Sequence, residues 1–205
     1  MDEFGLLGRE TKGEVVLVPR LRAALEKLNP TLPPEAITAA IDELTRDRSA
    51  MGLPAANREI YRLLKDGIAV SVADTGGSDA EGRARHSVRA VPGSSQSGAL
   101  GTARPTSGGQ TTVRVRVIDS EQPANNDFLL VSHFSVTGAL YTCRPDLVGF
   151  VNGLPLVVIE LKKPGVPARA AFDENLTHYK AEIPQLFWFN APSECRMTSF
   201  DWRTD

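Results

Sequence analysis

Asp146, Glu160 and Lys162 are the residues of this 205-residue sequence whose types and spacing suggest chemistry. Pro145-Asp146 opens one apolar run and Glu160-Leu161-Lys162 closes the next, with Asn152-Gly153, a hairpin turn signal, between them. Side chains two apart share a strand face, so Glu160 and Lys162 project together while Ile159 and Leu161 face the opposite layer. A two-residue loop at Asn152-Gly153 pairs Asp146 with Ile159 and sends the two carboxylates to opposite faces. A three-residue loop, Asn152 to Leu154, sets Asp146 opposite Glu160 instead. A shared site therefore requires the longer turn or a bulge.

Two carboxylates that close repel each other unless a cation lies between them, and hard oxygen ligands with room for water suit Mg²⁺. Such an ion polarises a phosphoryl oxygen and lowers the pKa of a bound water, while the Lys162 ammonium orients that water or neutralises developing charge. That is phosphodiester hydrolysis chemistry. The same residues also read as a turn acid and a solvated strand end with a surface ion pair, and spacing alone leaves both readings open.

The elements that must position these groups have their own patterns. Leu17, Leu21, Leu25 and Leu28 recur at three and four, with Pro19 tolerated in a first turn, which predicts one amphipathic helix. A second starts at Pro33 and Pro34 and carries Ile37, Ile41 and Leu44. A third carries Ile60, Leu63 and Leu64, with Gly67 as its C-terminal cap. The period then changes to two in Ile68, Val70 and Val72, and again in Val113, Val115 and Val117. "NDFLLVSHFSV" reads as a strand before the hairpin. A helix from about Ala168 to Glu182, with Phe172, Leu176 and Tyr179 on its stripe, follows the hairpin and is stopped by Pro184 before a short apolar strand, Leu186 to Phe189. Helices, then strands, then helix and strand predict an α/β fold, a mixed sheet with helices against its faces.

Residues 1–75 read as the helical part and first strand, 76–110 as a disordered Gly/Ser-rich insertion, 111–191 as the sheet, hairpin and helix, and 192–205 as an irregular tail. The insertion holds 8 of the 17 glycines between Gly76 and Gly109 and shows no periodicity. A composition of 41% hydrophobic and 23% charged residues is globular, and a net charge of -2 gives no global field toward nucleic acid, so any DNA contact is local. Cys143 and Cys195 lie far apart in the sequence without paired spacing, which argues against a disulfide framework and a structural zinc site. His86, His133 and His178 lack ligand spacing, and Cys143 reads as an inert thiol. Met1-Asp2-Glu3-Phe4 shows no basic region leading into an apolar stretch, and the longest apolar run, Leu154 to Ile159, is too short for a bilayer. The expectation is a cytoplasmic protein with no membrane span.

"RPDLVGFVNGLPLVVIELKKPG", preceded by "NDFLLVSHFSV" and followed by "YKAEIPQLFWFN", resembles the N-terminal nuclease region of the type I restriction enzyme R (motor) subunits. The likeness runs from Glu14 to about Ala191, including "PRLRAALEKLNP" and "ANREIYRLLKDG", apart from the Gly/Ser tract. It implies a restriction-endonuclease-like, PD-(D/E)xK fold in which Asp146, Glu160 and Lys162 are catalytic. It also implies Asp146, Glu160 and the Leu161 backbone carbonyl as metal ligands, and Mg²⁺-dependent cleavage of double-stranded DNA after ATP-driven translocation. Where the family often shows Gln-x-x-x-Tyr, this sequence has Asn175 and Tyr179, expected to support the catalytic loop or touch DNA. Glu14 falls where related nucleases supply another carboxylate, although a Glu at a helix start ordinarily complements the dipole.

The implied partners are double-stranded DNA and the methyltransferase and specificity subunits of a restriction-modification complex. No Gly-Lys-Ser or Gly-Lys-Thr phosphate loop occurs, so ATP belongs to the longer family proteins, and this sequence reads as their endonuclease portion. The rival expectation is a truncated, catalytically degenerate fragment that only binds DNA or partner subunits.

Overall fold

The computed structural model describes residues 7–73, 110–162, 169 and 171–190. The expected insertion and tail fall outside these residues, except that Gln110, placed in the insertion, pairs with Ala73 and begins a strand.

Three helices open the fold: α1 (Val18–Leu28), α2 (Pro34–Thr45) and α3 (Leu53–Asp66). Each carries a proline in its first turn, where the missing N–H costs nothing. Their apolar stripes point inward as the spacing predicts, burying Leu21 and Leu25 on α1, Ile37, Ile41 and Leu44 on α2, and Ile60 on α3. Gly67 ends α3 with a positive φ of 75°. A Cβ there would lie 2.8 Å from the Val115 carbonyl oxygen, so glycine is needed for the close turn into the strands.

β1 (Ile68–Ala73) pairs antiparallel with β2 (Gln110–Val115), Ile68 opposite Val115, and packs on α2. β3 (Phe128–Ser132), β6 (Leu147–Val151) and β7 (Leu154–Ile159) form a three-stranded antiparallel sheet in the order β3-β6-β7. β4 (Val136–Thr137) and β5 (Thr142–Cys143) form a small hairpin. Every pairing among the described residues is antiparallel, so the mixed sheet is not seen there. Parallel pairing needs a strand after a crossover helix, and the run expected to supply it is not a strand. Pro184–Phe187 is a helical turn, α5, with Leu186, Phe187, Trp188 and Phe189 buried. Asn57 on α3 holds it by donating to the carbonyls of Phe187 at 3.2 Å and Trp188 at 3.1 Å.

The helix before it also differs from a plain α-helix. Ala171–Leu176 is π-helical and runs into α4, Thr177–Glu182. Leu176 is buried and Tyr179 partly so, while Phe172 stays exposed, because the wider turn rotates it off the stripe. One core joins these layers, with Phe134 edge-on to Phe150 at 5.2 Å in a cluster that also includes Val148, Leu154, Val158 and Leu176. Among the described residues no helix is long and apolar enough to cross a membrane.

Candidate active site

The β6–β7 hairpin is anchored at its turn. Asn152 and Gly153 both take positive φ, 52° and 78°, the two-residue type I′ geometry that matches strand twist. The turn is buried rather than exposed. The Asn152 amide donates to the Val117 carbonyl at 2.8 Å and to Asn126 Oδ1 at 2.9 Å, and its oxygen accepts the Asp127 N–H at 2.8 Å. The Gly153 carbonyl accepts the Leu17 N–H at 2.9 Å, fastening the turn to the start of α1.

From a two-residue turn the ladder starts with Val151 opposite Leu154 and Phe150 opposite Pro155, a register that leads Asp146 to Ile159. It then shifts: Gly149 pairs with Val157 and Leu147 with Ile159, leaving Leu156 unpaired as a bulge. Of the two routes open to the sequence, the chain takes the short turn plus bulge. Continued by one residue, the shifted register sets Asp146 against Glu160. Two hydrogen bonds mark the meeting: the Asp146 N–H donates to Glu160 Oε1 at 3.3 Å, and the Leu161 N–H donates to Asp146 Oδ2 at 2.8 Å. His133, at the end of β3, donates its N–H to the Asp146 carbonyl at 2.9 Å and fixes the backbone from the other side.

The helix behind the hairpin supplies the remaining groups. Asn175 donates from Nδ2 to Glu160 Oε2 at 2.9 Å and accepts from Lys162 Nζ at 3.1 Å, so one amide spans the acid and the base. The shorter Asn reaches both. Lys162 also meets Glu174 Oε2 at 3.5 Å, a partner that sequence reasoning missed because an exposed Glu at helix spacing carries no distinguishing signal. Tyr179, one turn on, faces Glu160. Burial raises its phenol to about 12, with the Glu160 charge and hydrogen bond adding to the rise, so it stays a donor at neutral pH.

The electrostatics of the acid pair are only partly relieved by its hydrogen bonds. Glu160 is held above the ordinary carboxylate value, first by burial and then by the Asp146 charge, against the opposing bonds from Asn175, the Asp146 N–H and Tyr179. Two hard carboxylates at one strand end, one of them destabilised as an anion, fit a divalent cation. Among the described residues no group of three His, Cys, Asp or Glu side chains is placed to hold a metal, so an ion here would have two carboxylates and would need backbone oxygen, water or phosphate to complete its shell. Leu161, whose carbonyl is the expected third ligand, has an exposed side chain and an N–H committed to Asp146.

Glu14 is not brought to the pair. It precedes α1, and its carboxylate closes a local turn by accepting from the Glu10 N–H at 3.0 Å and the Thr11 hydroxyl at 3.3 Å. Cys143 is buried near Tyr179, and burial followed by the Glu182 charge raises its thiol, the setting of an unreactive cysteine.

The family profile described as type I restriction enzyme R protein N terminus matches residues 2–83 and 97–200. The chain belongs to this family. Among its relatives, the type I restriction enzyme HindI endonuclease subunit of Haemophilus influenzae is 33% identical over 191 residues, 91% of this chain and 15% of that protein. A putative type I restriction enzyme MjaIXP endonuclease subunit of Methanocaldococcus jannaschii is 37% identical over 87 residues, 40% of this chain and 8% of the other. The SsaAORF53P endonuclease subunit of Staphylococcus saprophyticus is 32% identical over 78 residues, 38% of this chain and 8% of the relative. The chain therefore spans a small fraction of these relatives' length. No solved structure matches it.

Proposed function

We propose that this chain is the endonuclease domain of a type I restriction R protein, with a restriction-endonuclease-like, PD-(D/E)xK fold, and that it hydrolyses phosphodiester bonds of double-stranded DNA with Mg²⁺. The observation that carries the reading is the meeting of Asp146 and Glu160 across the shifted register, with Lys162 on the same side and bridged to Glu160 through Asn175. Membership of a family whose relatives are named endonuclease subunits supports it.

Asp146, Glu160 and the Leu161 carbonyl would hold the ion. When bound, Mg²⁺ supplies Lewis-acid polarisation of the scissile phosphate and a more acidic water. The protein's own groups do the rest. Lys162 offers an ammonium to the attacking water or to charge developing on the phosphate. Asn175 keeps Lys162 and Glu160 in fixed relation, and Tyr179 holds Glu160 from behind as a neutral donor. ATP-driven translocation and the binding of methyltransferase and specificity subunits belong to the longer assembly in which the domain works, in the cytoplasm.

Plasmid nicking in Mg²⁺ tests the reading. Lys162→Ala should lower the nicking rate by about 10²-fold or more while leaving circular dichroism unchanged. Equal rates in the two proteins would remove Lys162 from the chemistry.

A further inference from the structure

The last residues of β7 contradict their own hydrophobic pattern. Counting back from Lys162, the even positions are Lys162, Glu160 and Val158, and the odd positions are Leu161, Ile159 and Val157. An amphipathic strand with this pattern turns its odd series to the core and its charges to water. The chain does the reverse. Val157, Ile159 and Leu161 are 49%, 37% and 57% exposed, while Glu160 and Lys162 lie on the side of buried Val158 and meet Asn175.

The cause is the unpaired Leu156. Were Leu156 paired rather than bulged, the register set by the turn would continue as Gly149 opposite Leu156, Val148 opposite Val157 and Asp146 opposite Ile159, which seats the apolar series inward. Nor can the turn absorb the correction. Gly153 is locked to α1, where an added Cβ would come within 2.6 Å of the Leu17 carbonyl oxygen, and Asn152 is fully buried. A change of register therefore has to occur inside the strand.

We infer that the Leu156 bulge is the positioning device of the site: it turns Glu160 and Lys162 to the Asp146 side at the cost of exposing three apolar side chains. Neighbouring outward residues agree. Phe128 and Leu130 on β3 are exposed on the face that Val157 and Ile159 share, a face kept apolar beside a register that serves the charges. Local pattern and global placement conflict here, as they do where a protein gives up stability for a site.

This inference rests on the metal-dependent reading of the acid pair, and the test separates the two. The full chain is titrated with Mn²⁺ alone and its melting temperature followed. The native sequence should show a saturable rise; no rise would overturn the metal reading itself, and the inference with it. Inserting an alanine between Leu156 and Val157 lengthens the strand by one residue beyond the bulge, so that Asp146 comes opposite Ile159, and should leave a cooperative melt and abolish the rise. A rise equal to that of the native chain would overturn the role of the bulge while leaving the metal site standing. A second variant both controls for misfolding and tests the register. It lacks Leu156 and carries no insertion, which removes the bulge while the residue count still sets Gly149 opposite Val157 and Asp146 opposite Glu160. A Mn²⁺-dependent rise in this variant supports the inference, and a folded variant with no rise overturns it.

Discussion

At its turn the β6–β7 hairpin gives both amide hydrogens and the oxygen of Asn152 a protein partner, whereas at its open end it sets two carboxylates together and raises one of them above its ordinary value. The two ends are about six residues apart on each strand and share one ladder. The turn behaves as an anchor, since buried polar groups with complete partners fix one geometry. At the open end burial and the Asp146 charge outweigh the bonds that Asn175, the Asp146 N–H and Tyr179 give Glu160, so its charged form is held at a cost, as is common at functional sites. Fastening one end firmly is what lets the other hold charges in place.

The sharpest way to break this contrast is to damage the anchor. Asn152→Ala removes three side-chain hydrogen bonds and leaves the Val117 carbonyl and the Asp127 N–H unpaired, and should cost about 3 kcal/mol in denaturant unfolding. Gly153→Ala should cost about 2 kcal/mol by the same measurement, through its positive φ and the close approach to Leu17. If either substitution proved neutral, the turn would not be the anchor.

Substitutions at the open end should reverse the balance, changing activity more than stability. Asn175→Ala frees Lys162 and Glu160 from their common amide, and should slow Mg²⁺-dependent nicking about tenfold while shifting stability by less than about 1 kcal/mol. A loss of stability as large as that of Asn152→Ala would make the amide structural instead.

The smallest effect concerns pH. Because the folded chain holds the Glu160 proton more tightly than the unfolded chain, metal-free stability should fall as pH rises from the unfolded carboxylate value through the raised folded one. Glu160→Gln should flatten that slope and, after solvent screening, gain a few tenths of a kcal/mol at neutral pH. Thermal melts across pH, without metal, would read it. A slope of the opposite sign would mean that Glu160 is already stabilised as an anion.

The parts of this arrangement were unequally legible in the sequence. The three helices and their buried faces follow from leucine and isoleucine spacing, because surface helices announce their core side at every turn. Asn152-Gly153 announced the hairpin, and the need for a longer turn or a bulge followed from counting residues. Which of the two the chain uses did not, since Leu156 is chemically ordinary and the deciding fact is the burial of the turn against α1. The π-helical start of the last helix was hidden because Phe172, Leu176 and Tyr179 satisfy an α-helical stripe equally well. Leu186 to Phe189 read as a strand because a short buried apolar run looks the same in either state. Asn175 was found through family likeness, and its two bonds only through the fold.

The most direct measurement is anomalous diffraction from crystals soaked in Mn²⁺. The expected result is a peak about 2.1–2.4 Å from an oxygen of both Asp146 and Glu160, with the peak lost in Glu160→Gln. A manganese peak elsewhere, or none in crystals where both carboxylates are ordered, would contradict the convergence of these two acids on one ion.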